Sequence, residues 1–239
     1  MNLAIDIGNT STKIALYEGD VIIRKERVNS PDQETVGSFI GKKRIRRAIV
    51  SSVSRDPSAL LEFLSDRAEV VHRLTWQSHF PFRIDYETPE TLGVDRLAAA
   101  AGAILHHPGQ DLLVIDAGSA LTLDLVAEGA FSGGNISPGL SMRFRALNEF
   151  TGRLPLVNAG KDFSFPGKST NDAITGGVVM GLVFEINEYI RTFEERYKKL
   201  ITVITGGDSE IIASFTRRKM LLHPDLVTDG LNYLLDYNA

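Results

Sequence analysis

Apolar residues fall along this chain in two kinds of run, and together they predict an alternating α/β protein. Short unbroken runs, Leu3–Ile5 and Leu112–Ile115, are too brief for helices and read as strands buried on both faces. Each is cut off by an Asp-x-Gly, Asp6-Ile7-Gly8 in one case and Asp116-Ala117-Gly118 in the other. There glycine offers a tight turn at positive φ. A second strand follows each turn, Thr12–Tyr17 and Leu121–Ala127, where Thr and β-branched residues suit a pleated surface. Further strands are predicted over Val21–Val28, Arg46–Val53, Glu69–His72 and Ile201–Thr205. Between them the spacing becomes helical. One helix starts at Ser30-Pro31, with Ser30 as cap and Pro31 in the first helical position, and runs to Ile40. A second opens at Asp56-Pro57 and ends near Asp66, and a third is the Ala-rich Gly93–Leu105. Later helices are predicted at Ser141–Glu149, at Thr170–Tyr197 with a break near its glycines, and at Asp208–Phe215. Strands alternating with helices make an α/β fold.

The two Asp-x-Gly segments are alike, either through internal duplication or by the chance likeness of short strand–turn–strand segments. Residues 3–16 read LAIDIGNTSTKIAL and residues 113–126 read LVIDAGSALTLDLV. At a constant offset of 110 the identities are Leu3/Leu113, Ile5/Ile115, Asp6/Asp116, Gly8/Gly118 and Thr12/Thr122. The offset is close to half of the 239 residues, which predicts two halves, 1–110 and 111–239, related by internal duplication. At this offset Lys13 faces Leu123, and Asn9-Thr10 face Ser119-Ala120. The first turn therefore reads as a cationic phosphate grip, and the second as one that needs a bound cation.

Composition narrows the chemistry. A net charge of −4 gives no bulk reason to bind nucleic acid or a membrane surface. Any phosphate must be held by local groups. The absence of cysteine excludes disulfides, thiolate metal sites and thiol nucleophiles. No signal peptide precedes the first strand and no run approaches 18 apolar residues, so a cytoplasmic protein is expected.

Four segments carry candidate chemistry. In the paired turns, Asp6 and Asp116 each end a very apolar strand, where a carboxylate is costly without a partner. Turns of this kind aim N–H groups and hydroxyls at one spot, a way to hold phosphate oxygens, and the carboxylates would hold Mg²⁺ or another cation. The plain alternative is two ordinary hairpins. In Tyr86–Arg96, YETPETLGVDR, Asp95 is a candidate to accept a proton from an attacking hydroxyl, and Arg96 to clamp a substrate carboxylate or phosphate. The alternative is an acidic residue favouring a helix N-terminus. Gly133-Gly134-Asn135-Ile136-Ser137-Pro138-Gly139 is either backbone passing close to something or a plain loop. Gly206-Gly207, between the strand Ile201–Thr205 and Asp208, is either a surface for a nucleotide base or ribose or a turn.

Three other segments carry less. Gly167-Lys168-Ser169-Thr170 resembles the end of a phosphate-binding P-loop, but that motif needs glycine where Asp162 stands. The basic run Lys42–Arg47 lacks interleaved aromatics and reads as a solvated loop. His106-His107 reads as a helix C-terminal cap rather than a metal site.

Taken in order, Asp6-x-Gly8-Asn9-Thr10-x-x-Lys13, Gly93-x-Asp95-Arg96, Asp116-x-Gly118-Ser119-Ala120-x-Thr122, and Gly133-Gly134 with Pro138-Gly139 resemble the type III pantothenate kinases, of the actin/hexokinase/Hsp70 superfamily. The likeness extends from residue 2 to the Gly230-Leu231 region. It implies two ribonuclease-H-like (actin-like ATPase) halves and phosphorylation of pantothenate, the first step of coenzyme A synthesis. It implies a homodimer, Mg²⁺ with ATP, and K⁺ or NH₄⁺. By position, Asp95 matches the general base. Tyr86, Gly93, Val94, Asp95, Arg96 and Thr170 match the pantothenate site. Asp6, Gly8, Asn9, Thr10, Lys13 and Ser119 match the ATP site, to which Gly206 and Gly207 are added. Asp116 matches the ligand of the monovalent cation, and Asp6 would meet the divalent one through water. Ser119 stands where Thr is usual, and Val94 and Leu121 where smaller residues are common. None of these departures removes a group the chemistry needs. Two rivals stay open: a sugar kinase of the same superfamily, and a non-catalytic nucleotide-binding regulator.

Overall fold

A computed structural model describes residues 1–29 and 31–238. It forms two compact units. The first comprises residues 1–109, 128–132 and 225–239, and the second residues 110–127 and 133–224. The last helix lies with the first unit, not with the second half of the chain.

In the first unit a five-stranded sheet has the order β3-β2-β1-β4-β5. Its strands are β1 (Asn2–Ile7), β2 (Thr12–Glu18), β3 (Val21–Val28), β4 (Ile45–Ser52) and β5 (Ala68–Arg73). β1 pairs antiparallel with β2 and parallel with β4. Helices α1 (Gln33–Ile40) and α2 (Ser58–Ser65) supply one apolar layer. Side chains alternate along a strand. Leu3, Ile5 and Ile7 therefore pack with Val36, Phe39, Ile40, Leu60 and Leu64 of those helices, each fully buried Leu or Ile contributing about 1.5–3 kcal/mol. The same alternation turns Asn2, Ala4 and Asp6 to the other face, which is covered by α3 (Val94–His106) and α7 (Leu226–Asn238).

These two helices touch backbone to backbone. A Cβ on Gly102 would sit 2.1 Å from the Leu226 carbonyl oxygen, and one on Gly230 would sit 1.9 Å from that of Ala98. The cap expected at Ser30 falls outside the described residues. Asp32 caps α1 instead, its Oδ1 accepting from the Thr35 N–H at 2.7 Å.

The sheet of the second unit holds β7 (Leu112–Ala117), β8 (Ala120–Ala127), β9 (Ala130–Pro138), β10 (Ile201–Thr205) and β11 (Leu221–Leu222) in the order β11-β10-β7-β8-β9. The first residues of β9 pair with β6 (Arg83–Ile84) and belong to the first unit. Gly133–Pro138, a candidate loop in the sequence, is thus strand. Leu113, Ile115 and Ala117 face α4 (Leu140–Glu149) and α5 (Thr170–Arg196), as Leu3, Ile5 and Ile7 face α1 and α2. α6 (Ser209–Phe215) completes the unit.

α5 is one unbroken helix of 27 residues, not the broken one expected. At Gly176 a Cβ would come within 3.3 Å of the Phe165 ring and 3.4 Å of Phe163. Glycine there admits the aromatic rings, and packing overrides its poor helix propensity. By length and composition alone α5 is apolar enough to cross a membrane. Its residues Ile174, Val178, Val179, Leu182, Val183, Ile186 and Ile190 fill the core of the second unit, so α5 is a core helix. α7 itself was not predicted.

Candidate active site

The first hairpin fixes a cluster of polar groups at the end of β1. Ile7 pairs with Thr12, so Gly8, Asn9, Thr10 and Ser11 form the turn, closed by the Gly8 N–H donating to the Ser11 carbonyl at 3.2 Å. Gly8 is not at positive φ. Its glycine is explained by space, since a Cβ would lie 3.1 Å from that same carbonyl oxygen. Asn9 and Thr10 are exposed at the tip.

Asp6 lies opposite Lys13 across the antiparallel pair and opposite Ser51 across the parallel one. The Ser51 hydroxyl donates to Asp6 Oδ1 at 2.6 Å. Burial pushes the Asp6 carboxyl above its ordinary value of 3.8. The Ser51 hydrogen bond and the Lys13 charge pull it back, and the charge of Asp95 pushes it further up.

Asp95 enters from α3. Gly93 is the N-cap position, and the Asp95 carboxylate folds back to accept from the Arg96 N–H at 2.9 Å. A Cβ on Gly93 would lie 2.5 Å from Asp95 Oδ1. Glycine at 93 is therefore what lets the carboxylate take this position. Burial raises the Asp95 pKa, opposed by the Arg96 N–H, then by the charge of Arg96 and, more weakly, that of Lys13. Lys13 thus acts on both carboxylates, and each of them binds a proton more readily than a free one does.

Arg96 is buried, its guanidinium 5.9 Å from the Tyr86 ring centre and 5.6 Å from that of Phe131. Those rings meet edge to face at 6.3 Å. Val94 is half-buried in the first turn of the same helix. Asp6, Lys13, Tyr86, Gly93, Val94, Asp95 and Arg96 therefore all belong to one compact unit. Sequence reasoning missed Ser51 and Phe131. Ser51 is visible only through strand register, and Phe131 sits in a segment with no motif.

The second unit repeats the plan with one residue fewer. Ala117 pairs with Leu121, and the Gly118 N–H donates to the Ala120 carbonyl at 3.1 Å. Asp116 lies opposite Thr122, and on its parallel side opposite Thr205. The spatial counterpart of Lys13 is thus Thr122, and Leu123 corresponds to Ile14. The constant offset of 110 holds only up to the turn. Of the five identities, Thr12/Thr122 is not an equivalence in space: Thr12 pairs with Ile7 on the core-facing side, Thr122 with Asp116 on the other.

Two glycines press on this second turn. Gly206, at φ 96°, would place a Cβ 2.4 Å from the Ala117 carbonyl and 2.5 Å from Asp116 Oδ1. Gly139, the N-cap position of α4, would place one 2.4 Å from the Gly118 carbonyl oxygen and 2.5 Å from that of Ser119. The glycine-rich segments thus approach backbone closely, and what they approach is the turn itself. Like Gly8, Gly118 has no positive φ. Ser119 and Gly207 are exposed. Thr170 is the exposed first residue of α5, also in the second unit. His107 is the C-cap position of α3, and His106 in its last turn bonds through Nε2 to Asp229 Oδ2 at 2.9 Å.

As to metals, the described residues contain no group of three or more His or acidic side chains that could hold an ion. A Mg²⁺ that arrives with ATP needs only one or two carboxylates and keeps several waters, which the buried Asp6 fits. At Asp116 the groups that Gly206 approaches are the carboxylate and the Ala117 carbonyl, oxygen donors of the kind a hard cation takes.

The family model of type III pantothenate kinase matches residues 2–192. Type III pantothenate kinases from Bacteroides fragilis and Porphyromonas gingivalis are 41% and 39% identical to the chain, covering 100% of it and 98% and 99% of their own lengths. Among solved structures, one from Campylobacter jejuni, described as a Baf family transcriptional activator, matches with a TM-score of 0.65 at 21% identity, covering 98% of this chain and 97% of that one. A ROK family glucokinase from Streptomyces griseus in complex with glucose and AMPPNP matches at 0.55 and 12%, covering 98% of both chains. Those likenesses show the actin-like ATPase fold. The family match over most of the sequence and the end-to-end relatives show more, and the chain belongs to the type III pantothenate kinases.

Proposed function

We propose that this chain transfers the γ-phosphoryl group of ATP to the terminal hydroxyl of pantothenate, giving 4'-phosphopantothenate, the first step of coenzyme A biosynthesis. The observation that carries the reading is Asp95. Its carboxylate is held over Gly93 in the first turn of α3, partly buried, and under the influence of the same Lys13 that serves Asp6. A carboxylate with a raised pKa is a better base toward an alcohol than an ordinary one.

In the proposed reaction the pantothenate hydroxyl oxygen attacks the γ-phosphorus in line, its proton passes to Asp95, and ADP leaves. Gly8, Asn9, Thr10 and Lys13 contact the nucleotide phosphates, and Asp6 meets Mg²⁺ of MgATP through water. Arg96, beside Tyr86, takes the pantothenate carboxylate, with Gly93, Val94 and Thr170 completing the substrate contacts. In the second unit Ser119, Gly206 and Gly207 contact ATP, and Asp116 holds K⁺ or NH₄⁺. Little covalent chemistry falls to the protein, so positioning and electrostatics supply most of the rate.

A homodimer in the cytoplasm is part of the same proposal. The second unit leaves Phe150, Phe165 and Phe184 exposed at 85%, 59% and 53%, large apolar groups that a second copy would cover. No nucleic-acid or membrane partner is invoked. In the basic run, Arg44 pairs with Glu69 and Arg47 with Asp236. The test is ADP release from ATP on adding pantothenate, with and without K⁺. Pantothenate-dependent release is expected, stronger with K⁺. Release with a sugar instead, or none at all, would favour the rival readings.

A further inference from the structure

The elements that carry Asp6, Lys13 and Asp95 are β1, β2 and α3, and each is tied at its far end to the same helix. Asp229 Oδ1, on α7, accepts from the buried Tyr17 hydroxyl of β2 at 2.8 Å. The other oxygen of that carboxylate, Oδ2, bonds His106 Nε2 in the last turn of α3 at 2.9 Å. Three residues on, Asn232 accepts from Asn2 of β1 at 2.9 Å and donates to the Gly19 carbonyl after β2 at 3.0 Å. Residues three apart share one face of a helix. Between His106 and Asp95 along α3, Gly102 meets α7 at Gly230, the residue after Asp229, and the two backbones touch with no side chain to cushion a shift.

We propose that α7, through Asp229 and Asn232, is a positioning element that sets the register of α3 against β1 and β2, and with it the placement of Asp95 relative to Asp6 and Lys13. The tethers lie far from the chemistry. His106 is 11 residues from Asp95, about 16 Å along the helix. The effect is therefore on placement and not on substrate contact. A rigid helix pivoting at its distal end moves its first turn, and a displacement on the order of 1 Å at a reacting group can cost up to about a hundredfold in rate.

The inference rests on Asp95 being the base, and its test separates the two. Asp229→Ala and Tyr17→Phe are compared with the wild-type protein for kcat, for KM toward ATP and pantothenate, and for the thermal midpoint. The expected result is a fall in kcat of about tenfold with both KM values within about twofold, because binding groups stay in place while the base is misplaced. Tyr17→Phe keeps the buried ring and decides the question if Asp229→Ala lowers the yield of folded protein. A kcat within twofold of wild type, or a rise in KM at unchanged kcat, overturns the proposal even if the midpoint falls, since α7 would then serve stability alone. A wild type that shows no pantothenate-dependent turnover would overturn the functional reading first, and this inference with it.

Discussion

The two Asp-x-Gly turns share a plan and differ in what surrounds the carboxylate. Both end an apolar strand whose alternate residues fill a core, Leu3, Ile5 and Ile7 in one and Leu113, Ile115 and Ala117 in the other. Both Asp residues have a strand on either side. In the first, the neighbours are Lys13 and the Ser51 hydroxyl that donates to Asp6. In the second they are Thr122 and Thr205, and the Thr205 hydroxyl turns to the Pro224 carbonyl, at 3.5 Å. The second turn is one residue shorter, and it has a hydroxyl where the first has an ammonium. Asp6 is buried and has Lys13 as a cationic neighbour. Asp116 is half-buried, and on our proposal its site takes K⁺ or NH₄⁺.

This difference can be broken experimentally. The largest effect is expected at Asp95, where Asn should lower turnover by about 10²–10⁴ on general-base arithmetic, with the thermal midpoint kept. Turnover near normal would remove Asp95 from the role. Next are the glycines. Gly206→Ala forces a side chain into positive φ against backbone 2.4 Å away, and should cost about 1–3 kcal/mol or more in chemical denaturation. Gly8→Ala meets only one oxygen at 3.1 Å and should cost less. Equal losses would show that the second turn is not the more tightly enclosed. Thr122→Lys places an amine where the first turn has Lys13, and should weaken the stimulation of turnover by K⁺. Undiminished stimulation would count against Asp116 as the cation site.

The smallest effect is on stability. The Asp6 pKa is raised in the folded protein. Stability from its protonated form is fully present below its ordinary 3.8 and lost as pH rises through the raised value. Asp6→Asn avoids that loss, so its thermal midpoint without ligands should exceed wild type at about pH 7, with the gap closing below about pH 4. A lower midpoint at neutral pH would contradict burial as the dominant influence on Asp6.

Much of this was legible in the sequence because strand alternation and turn chemistry are local. The hairpins, Val21–Val28 and Ile201–Thr205 appear where the pattern puts them. What was not legible depends on contacts between distant segments. Ser51 reaches Asp6 only through β-strand register, 45 residues apart. The one-residue shortening is hidden because Thr12 and Thr122 happen to match at the wrong offset. The break expected in α5 failed because Gly176 is there for the rings of Phe163 and Phe165. The glycines of the two turns serve close approach and not positive φ, a distinction that needs coordinates. α7 escaped notice although its apolar residues are buried, because Gly230 weakens the helical signal while serving the contact with α3.

The division of labour between the turns is tested most directly by one comparison, kcat for Lys13→Ala beside kcat for Thr122→Ala, at saturating ATP, pantothenate and K⁺. These residues hold the same place in the two hairpins. A loss of about 10²–10³ is expected for the first, the magnitude of removing one preorganised electrostatic group, and less than about fivefold for the second, where the charge would come from the cation rather than the hydroxyl. Equal losses, or a larger one at Thr122, would contradict that division.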